Sequence, residues 1–348
     1  MTPEGIHTRL VRTDRADTFV RHDGRTVGQP VVLVHGNISS SVFWEDTLLA
    51  LPDGFRGLAP DLRGYGDTEP LPVDATRGLR DFADDLAAAV EALALDRVHL
   101  VGWSMGGGVV LQYLLDHPEQ VASLTLVDPV SPYGFGGTHG IEGKLVSADG
   151  AGSGGGAVNP DFVKRLEAGD AAGTDATSPR GVMRAVYFAP GPPHPREDDF
   201  VDSMLSTRIG DDFYPGDSRP SEAWPQIAPG DRGILNTMAP THCNLSGVVE
   251  VQPKPPVLWV RGRADQIVSD TSMLDLAMLG RLGAVPGWPG EDACPPQPMV
   301  AQTRAVLDRY AAAGGRYDEV VVEGAGHSPH IERPGEFRTA FFDFLSRA

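Results

Sequence analysis

The stretch Gly102-Trp103-Ser104-Met105-Gly106-Gly107 decides the fold, because it joins a buried strand to a helix through a sharp turn. Residues 97–101 before it are mostly aliphatic, as expected of a covered strand. The apolar residues after it recur at helical spacing as far as His117 and Pro118. Glycines beside Ser104 let strand and helix approach closely around a strained serine. The pattern predicts a nucleophilic serine at the carboxyl end of a sheet; the alternative is a turn in which Ser104 only caps the helix.

Strands and helices alternate outward from this turn. Residues 6–22 predict an antiparallel pair at a sheet edge. The continuous apolar run at residues 30–34 predicts a strand that is covered on both faces. Further strands are predicted at residues 55–59, 121–127, 256–260 and 319–323. Helical spacing predicts helices over residues 42–51, 77–95, 271–281, 300–313 and 334–346. Such alternation indicates an α/β fold with a mostly parallel central sheet.

The alternation stops between residues 131 and 253, which are rich in Gly and Pro and contain only short helical candidates. We therefore expect a core formed by residues 1–130 and 254–348, interrupted by a large, mainly helical cap at 131–253, after the strand ending near Asp128. The glycine-rich run at 149–156 suggests a flexible connection into the cap. A further Pro/Gly-rich insert, at residues 283–298, is expected near the active-site edge.

Composition narrows the classes of function. Of 348 residues, 41% are hydrophobic, which supports a sizeable core and argues against disorder. The net charge is −18 without a basic cluster, so neither nucleic acid nor an anionic membrane is an expected partner. The expected partner is a small-molecule substrate.

The N-terminal residues and the cysteines bear on the compartment. No signal peptide or membrane span is visible in the sequence, so a cytoplasmic location is expected. Cys243 and Cys294 could tether the cap to the insert at 283–298. The alternative, two unrelated thiols, is favoured in a reducing compartment.

Three candidate catalytic residues follow predicted strands: Ser104, Asp265 and His327. In open α/β sheets the carboxyl ends of the strands form the ligand-binding edge. The chain order Ser, Asp, His is the one that accompanies a nucleophile on such a turn. A serine needs a histidine to take its proton, and the histidine needs a carboxylate to fix its tautomer.

With these residues the chain resembles the α/β-hydrolase superfamily, over residues 1–130 and 255–348 but not over the middle section. The resemblance rests on five motifs: His35-Gly36-Asn37, Asp61-Leu62-Arg63-Gly64-Tyr65-Gly66, Gly102 to Gly107, Arg261 to Asp265 and Gly326-His327. The serine at the turn argues against the epoxide hydrolases and dehalogenases of the superfamily, which carry aspartate there. A capped esterase or lactonase is the member that the chain resembles.

The resemblance also implies roles around the serine. The backbone amides of Asn37 and Met105 would form the oxyanion hole, and His35 would be structural. Asp61 and Arg63 would order the loop below the site, or else be ordinary solvated charges. No metal or cofactor is expected, since the sequence lacks a dinucleotide fingerprint and clustered His/Cys ligands.

Two assignments have rivals. Asp128 also ends a strand, just after the turn unit, and some superfamily members place the catalytic acid there, so it competes with Asp265. His330 lies three residues after His327 and competes as the base. Asp265 and His327 match the usual positions better.

Four aromatic residues are candidates for lining the substrate pocket: Trp103, Tyr133, Phe135 and Trp224. The expected reaction is hydrolysis of a carboxylic ester or lactone of a fairly bulky small molecule through an acyl-enzyme. Alternatives are hydrolysis of a carbon–carbon bond in a diketone-like compound and cofactor-free perhydrolase or haloperoxidase chemistry. A small-molecule receptor on the same fold is an alternative of another class.

Overall fold

Strands and helices alternate through most of the chain in the computed structural model, which describes residues 2–348. The strands are β1 (His7–Arg12), β2 (Asp17–His22), β3 (Gln29–Val34), β4 (Phe55–Pro60), β5 (Val98–Trp103), β6 (Val121–Val127), β7 (Thr138–His139), β8 (Lys144–Leu145), β9 (Ile209–Gly210), β10 (Tyr214–Pro215), β11 (Ser218–Pro220), β12 (Ile227–Pro229), β13 (Val257–Gly262) and β14 (Tyr317–Val322). The α-helices are α1 (Glu45–Ala50), α2 (Arg80–Ala92), α3 (Met105–Asp116), α4 (Pro160–Glu167), α5 (Pro179–Val182), α6 (Glu197–Leu205), α7 (Leu276–Arg281), α8 (Met299–Ala312), α9 (Pro329–Glu332) and α10 (Pro334–Leu345). No helix among these residues is both long enough and apolar enough to cross a bilayer.

The central sheet has eight strands in the order β1-β2-β4-β3-β5-β6-β13-β14. At one edge of the sheet, β2 pairs antiparallel with both β1 and β4. All pairs from β4 to β14 are parallel. Every residue of β5 is buried, whereas β1 is exposed at all but one position. A strand with neighbours and helices on both faces must be apolar throughout, which explains the continuous apolar runs of the sequence.

The strand order places the loops after the central strands side by side. β3 lies between β4 and β5, so the chain reverses its direction across the sheet there. Such a reversal opens a crevice at the carboxyl ends of the strands. β6, β13 and β14 extend the same parallel set. The loops that follow β3, β5, β6, β13 and β14 therefore leave from one edge.

Residues 131–253, which we call the excursion, leave this edge after β6 and return before β13. Their α-helices α4, α5 and α6 lie within residues 160–205, together with a π-helical turn at Met183–Tyr187. The rest consists of loops, two-stranded pairs and short 3₁₀ turns at Gly155–Ala157, Leu235–Met238 and Ser246–Glu250. The expectation of a mainly helical segment therefore holds only for 160–205. The frequent Gly and Pro residues elsewhere in the excursion disfavour helix.

Two local expectations differ from the structure. The run at 149–156 is packed rather than a flexible connection, since a Cβ on Gly154 would lie 2.3 Å from Asn236 Oδ1. The helix expected over 271–281 begins only at Leu276, because the Asp275 side chain accepts from Ala277 N–H and caps it there.

Cys243 and Cys294 are buried free thiols, so the tether between them is absent.

Candidate active site

The turn between β5 and α3 holds Ser104 at φ 58° and ψ −123°, a conformation that is strained for a residue with a side chain. Ser104 N–H donates to the Val127 carbonyl at 3.0 Å, and the Ser104 carbonyl accepts from Val130 N–H at 3.0 Å. A Cβ on Gly106 would lie 2.4 Å from the His35 carbonyl, so only glycine fits beside the β3 loop. The Ser104 side chain makes no capping hydrogen bond to α3. The structure thus excludes the reading of Ser104 as a helix cap.

His327 and Asp265 are buried partners. His327 Nδ1 lies 2.8 Å from Asp265 Oδ2. Asp265 Oδ1 accepts from Ile267 N–H at 2.7 Å and from Val268 N–H at 3.1 Å, which holds the carboxylate in one orientation. Because an ionised carboxylate only accepts, the proton of the imidazole sits on Nδ1 and leaves Nε2 free to act as a base.

Ser104 and His327 line one pocket of about 400 Å³. Asn37 and Trp103 belong to the same lining, as does Phe135 from the excursion. The Trp103 indole also donates to the His327 carbonyl at 2.7 Å, so it supports the histidine loop as well as the pocket wall. The structure therefore brings the predicted serine and histidine, and these three predicted neighbours, to one cavity.

Two of the four aromatic candidates do not line this pocket. The Tyr133 hydroxyl accepts from Arg309 Nη2 at 2.8 Å, and its ring packs against Gly143. Trp224 Nε1 donates to the Pro286 carbonyl at 3.0 Å, outside the cavity. The expectation that Tyr133 and Trp224 face substrate is wrong, because composition shows aromatic mass but not the direction in which each ring points.

Part of the pocket wall is formed by a segment that the sequence did not single out. Residues 267–279 contribute six aliphatic side chains to the pocket: Ile267, Val268, Met273, Leu274, Leu276 and Leu279. The insert at 283–298 contributes none, although it was expected to help wall the site. Its Gln297 instead binds the backbone of Gly134 and Gly136, which fastens the start of the excursion.

The loop after β3 is held from three sides. His35 Nε2 accepts from Leu62 N–H at 2.9 Å, and burial lowers the pKa of His35 to about 4, so the ring is neutral and structural. The Tyr65 hydroxyl donates to Asn37 Oδ1 at 2.5 Å, and the Tyr187 hydroxyl of the excursion donates to the Asn37 carbonyl at 3.1 Å. These bonds occupy the Asn37 side-chain and carbonyl oxygens and leave its backbone amide for a ligand.

Met105 is the first residue of α3 and follows Ser104 directly. The first N–H groups of a helix have no acceptor within it and lie at its positive end. The Met105 amide is therefore available beside the Ser104 hydroxyl, as an oxyanion donor requires. The role of Asn37 and Met105 as oxyanion donors stays a prediction.

Asp61 and Arg63 are buried rather than solvated. Asp61 accepts from Ser41 N–H at 2.7 Å and from Asp67 N–H at 3.0 Å. Arg63 makes two hydrogen bonds to Asp85, at 2.5 and 2.6 Å. Both residues tie the loop after β4 to its neighbours, so of the two alternatives the structure favours the ordering role.

Glu332 was missed by the sequence reasoning. Its carboxylate accepts from Gly326 N–H at 2.8 Å, from Ser328 N–H at 3.3 Å and from Ala189 N–H of the excursion at 2.5 Å. It therefore holds the backbone on both sides of His327 and fastens it to the excursion. The available signal was an acidic residue in the first turn of α9, a short helix that begins with Pro329.

His330, the rival base, lies behind the site. Its ring centroid is 4.3 Å from that of Trp44, and neither ring nitrogen has a hydrogen-bond partner among residues 2–348. Burial and the neighbouring His327 lower the pKa of His330 to about 3. The geometry with Asp265 thus favours His327 as the base.

We expect His330→Leu to make the protein less sensitive to acid. An unfolded histidine binds a proton below about pH 6.5, whereas folded His330 binds one only near pH 3. Its contribution to stability is therefore present above about pH 6.5 and is lost at about 1.4 kcal/mol per pH unit as pH falls. Between pH 7 and pH 5 the free energy of unfolding of the variant should rise by about 2 kcal/mol relative to that of the wild type. Urea unfolding at both pH values measures this.

His330→Gln is the control, because it removes the titration but keeps a polar side chain. Equal pH dependence of the free energy of unfolding in all three proteins would contradict the expectation.

Comparisons with known proteins bear on the fold of the chain. A family model described as the alpha/beta hydrolase fold matches residues 29–139. The putative carbamate hydrolase RutD of Variovorax paradoxus is 38% identical over 130 residues, which are 37% of this chain and 48% of that relative. The 2-hydroxy-6-oxo-2,4-heptadienoate hydrolase of Pseudomonas putida is 36% identical over 125 residues, which are 35% of this chain and 44% of that relative. The chain thus spans less than half the length of these curated relatives.

A solved structure extends the likeness to the whole fold. The esterase EaEST from Exiguobacterium antarcticum superposes with a TM-score of 0.61 at 16% identity, covering 98% of this chain and 100% of that one. At such low identity the likeness bears on the fold alone. The matched region, the relatives and the shared architecture point to one fold. This chain has the α/β-hydrolase fold.

Proposed function

We propose that the protein is a serine hydrolase that cleaves a carboxylic ester or lactone of a fairly bulky, neutral small molecule through an acyl-enzyme. The observation that carries this proposal is the buried Asp265–His327 pair, joined at 2.8 Å, in the pocket that also holds Ser104 on its strained turn. A buried acid and histidine beside an available serine form the arrangement that activates a hydroxyl for attack.

The proposed reaction has two halves. His327 Nε2 takes the Ser104 proton as Ser104 Oγ attacks the carbonyl carbon, and the amides of Asn37 and Met105 stabilise the oxyanion. His327 then gives that proton to the leaving alcohol, so the acyl group stays on Ser104. A water molecule, deprotonated by His327, attacks the acyl carbon. The bond to Ser104 Oγ then breaks, His327 returns the proton to Ser104 Oγ, and the acid is released.

Pocket size and composition support the substrate class. A cavity of about 400 Å³ falls in the range that encloses drug-sized ligands. Its wall includes Phe162 and Val186 from the excursion and the aliphatic residues of 267–279, with no Asp, Glu, Lys or Arg in the lining. A charged substrate would lose its hydration without gaining a partner, which is costly. We therefore propose that the excursion acts as the cap of a pocket for neutral, largely apolar molecules.

The first test is substrate size. With one shared 4-nitrophenol leaving group, octanoyl and aromatic esters should exceed the acetyl ester in kcat/KM by at least about tenfold, because each buried CH₂ stabilises the complex by about 0.8 kcal/mol. Initial rates across the three esters measure this. A clear preference for acetyl would mean that the excursion only excludes water from a small site, and the size argument would fail.

Carbon–carbon bond hydrolysis is the second candidate, favoured by the name of the Pseudomonas putida relative. The dienoate in that name is a carboxylate, and the pocket of this chain has no cationic side chain to pair with one. We therefore expect a neutral activated ester to be turned over far faster than a 2-hydroxy-6-oxo dienoate. A panel containing both, with a carbamate as the third compound, ranks the candidates; a faster dienoate would replace our proposal.

A further inference from the structure

A second carboxyl group lies buried against the triad acid. Asp128 directly follows β6, and its side chain is 2% exposed. Its two carboxyl oxygens lie 3.0 and 3.2 Å from Gly262 N, which donates to them. One carboxyl oxygen each of Asp128 and Asp265 and one ring nitrogen of His327 lie within 4.8 Å of one another, and all three residues are buried.

Two ionised carboxylates this close together would repel strongly inside the protein, and neither could donate a hydrogen bond to the other. A proton on one of the pair removes the repulsion and lets that residue donate to its neighbour. The question is which of them holds it.

The hydrogen-bond donors around each carboxyl group indicate which of the two residues holds the proton. Asp265 receives three N–H groups, from Ile267, Val268 and the His327 ring, all of which favour an ionised carboxylate. Among residues 2–348, Asp128 receives only the N–H of Gly262. Burial, followed by the negative charge of Asp265, raises the pKa of Asp128 well above its usual range, and Glu332 on α9 adds to that shift.

A shared metal ion is a poorer account of the trio. Asp265 Oδ2 and His327 Nδ1 are already hydrogen-bonded to each other at 2.8 Å. Asp128 in turn accepts from a backbone N–H group. These atoms are therefore engaged in hydrogen bonds rather than directed together at an ion, and a single proton on one carboxyl group accounts for the closeness of the two.

We propose that Asp128 is a positioning residue that stays protonated at neutral pH and donates its O–H to Asp265, holding that carboxylate against His327. Asp128 does not line the pocket. Its influence on turnover passes through Asp265, and this part of the inference rests on the proposed hydrolase function. The protonation itself does not depend on turnover.

The kinetic test compares two variants. Asp128→Asn keeps the shape and a neutral donor, and asparagine tolerates the backbone φ of 39° found there. Its kcat should stay within about threefold of the wild-type value, both at neutral pH and along the acid limb of the pH–rate profile. Asp128→Ala removes the donor, so kcat should fall by at least about tenfold with little change in KM. A loss in Asp128→Asn as large as that in Asp265→Asn would show that Asp128 works as a charged group, and an Asp128→Ala variant with wild-type kcat would show no positioning; either overturns the proposal.

An infrared measurement needs no substrate and remains decisive if the alanine variant does not fold. The difference spectrum of wild type minus Asp128→Asn at pH 7 should contain the carbonyl band of a protonated carboxylic acid. Absence of that band overturns the proposal. A protein that shows the band but hydrolyses no ester would instead refute the proposed function while leaving the protonated Asp128 in place.

Discussion

Ser104→Ala should reduce turnover of an activated ester by about 10⁴- to 10⁶-fold while leaving the fold intact. The methyl group of alanine occupies the place of the serine Cβ, so the contacts of the turn with Gly36 remain. The backbone hydrogen bonds of residue 104 to Val127 and Val130 are also unaffected by the change. Only the attacking oxygen is lost. Burst and steady-state kinetics with a 4-nitrophenyl ester measure the effect, and thermal unfolding checks the fold.

Ser153→Ala is the matched control for that variant. Ser153 is the other serine of the pocket lining, but its hydroxyl donates to the Gly150 carbonyl at 2.6 Å. Its loss should change turnover by less than about tenfold, since a single neutral hydrogen bond contributes about 1 kcal/mol. An alanine variant at position 104 with wild-type turnover would refute Ser104 as the nucleophile.

Covalent labelling separates the enzyme from a receptor on the same fold. A fluorophosphonate should add its mass to the wild type at Ser104 and should not label the Ser104→Ala variant. A wild-type protein that binds an ester-like ligand tightly, yet neither hydrolyses it nor is labelled, would favour the receptor.

Asp265→Asn should lower kcat by about 10⁴-fold. The N–H groups of Ile267 and Val268 both point at Oδ1, so the amide must place its oxygen there and its NH₂ toward His327. An NH₂ group donates, which forces the proton of the imidazole onto Nε2. With that tautomer His327 cannot take the Ser104 proton.

Asp275→Asn is the control for the acid. Asp275 is also buried, and it accepts from Ala277 N–H and Gln297 N–H, away from His327. We expect a loss of stability in this variant but a change in kcat below about tenfold. Near wild-type turnover in Asp265→Asn would mean that this carboxylate does not orient the base.

The sequence by itself determined the α/β architecture and the residue types of the candidate site. Short stretches of the sequence encode these features: glycines around Ser104, apolar runs long enough for covered strands, and helices with one apolar face. The order of Ser104, Asp265 and His327 along the chain was visible in the same way. Each local feature depends on residues near it in the chain, because periodicity and turn chemistry act over short stretches.

Only the tertiary structure decided which residues contact one another across the sheet edge. Asp128 and Asp265 carry the same local signal, an acid after a buried strand, and the 2.8 Å bond to His327 distinguishes them. The directions of Tyr133 and Trp224 and the pocket wall at 267–279 came from packing as well. Contacts between segments far apart in the chain depend on shape and burial in three dimensions, and local sequence patterns do not encode them.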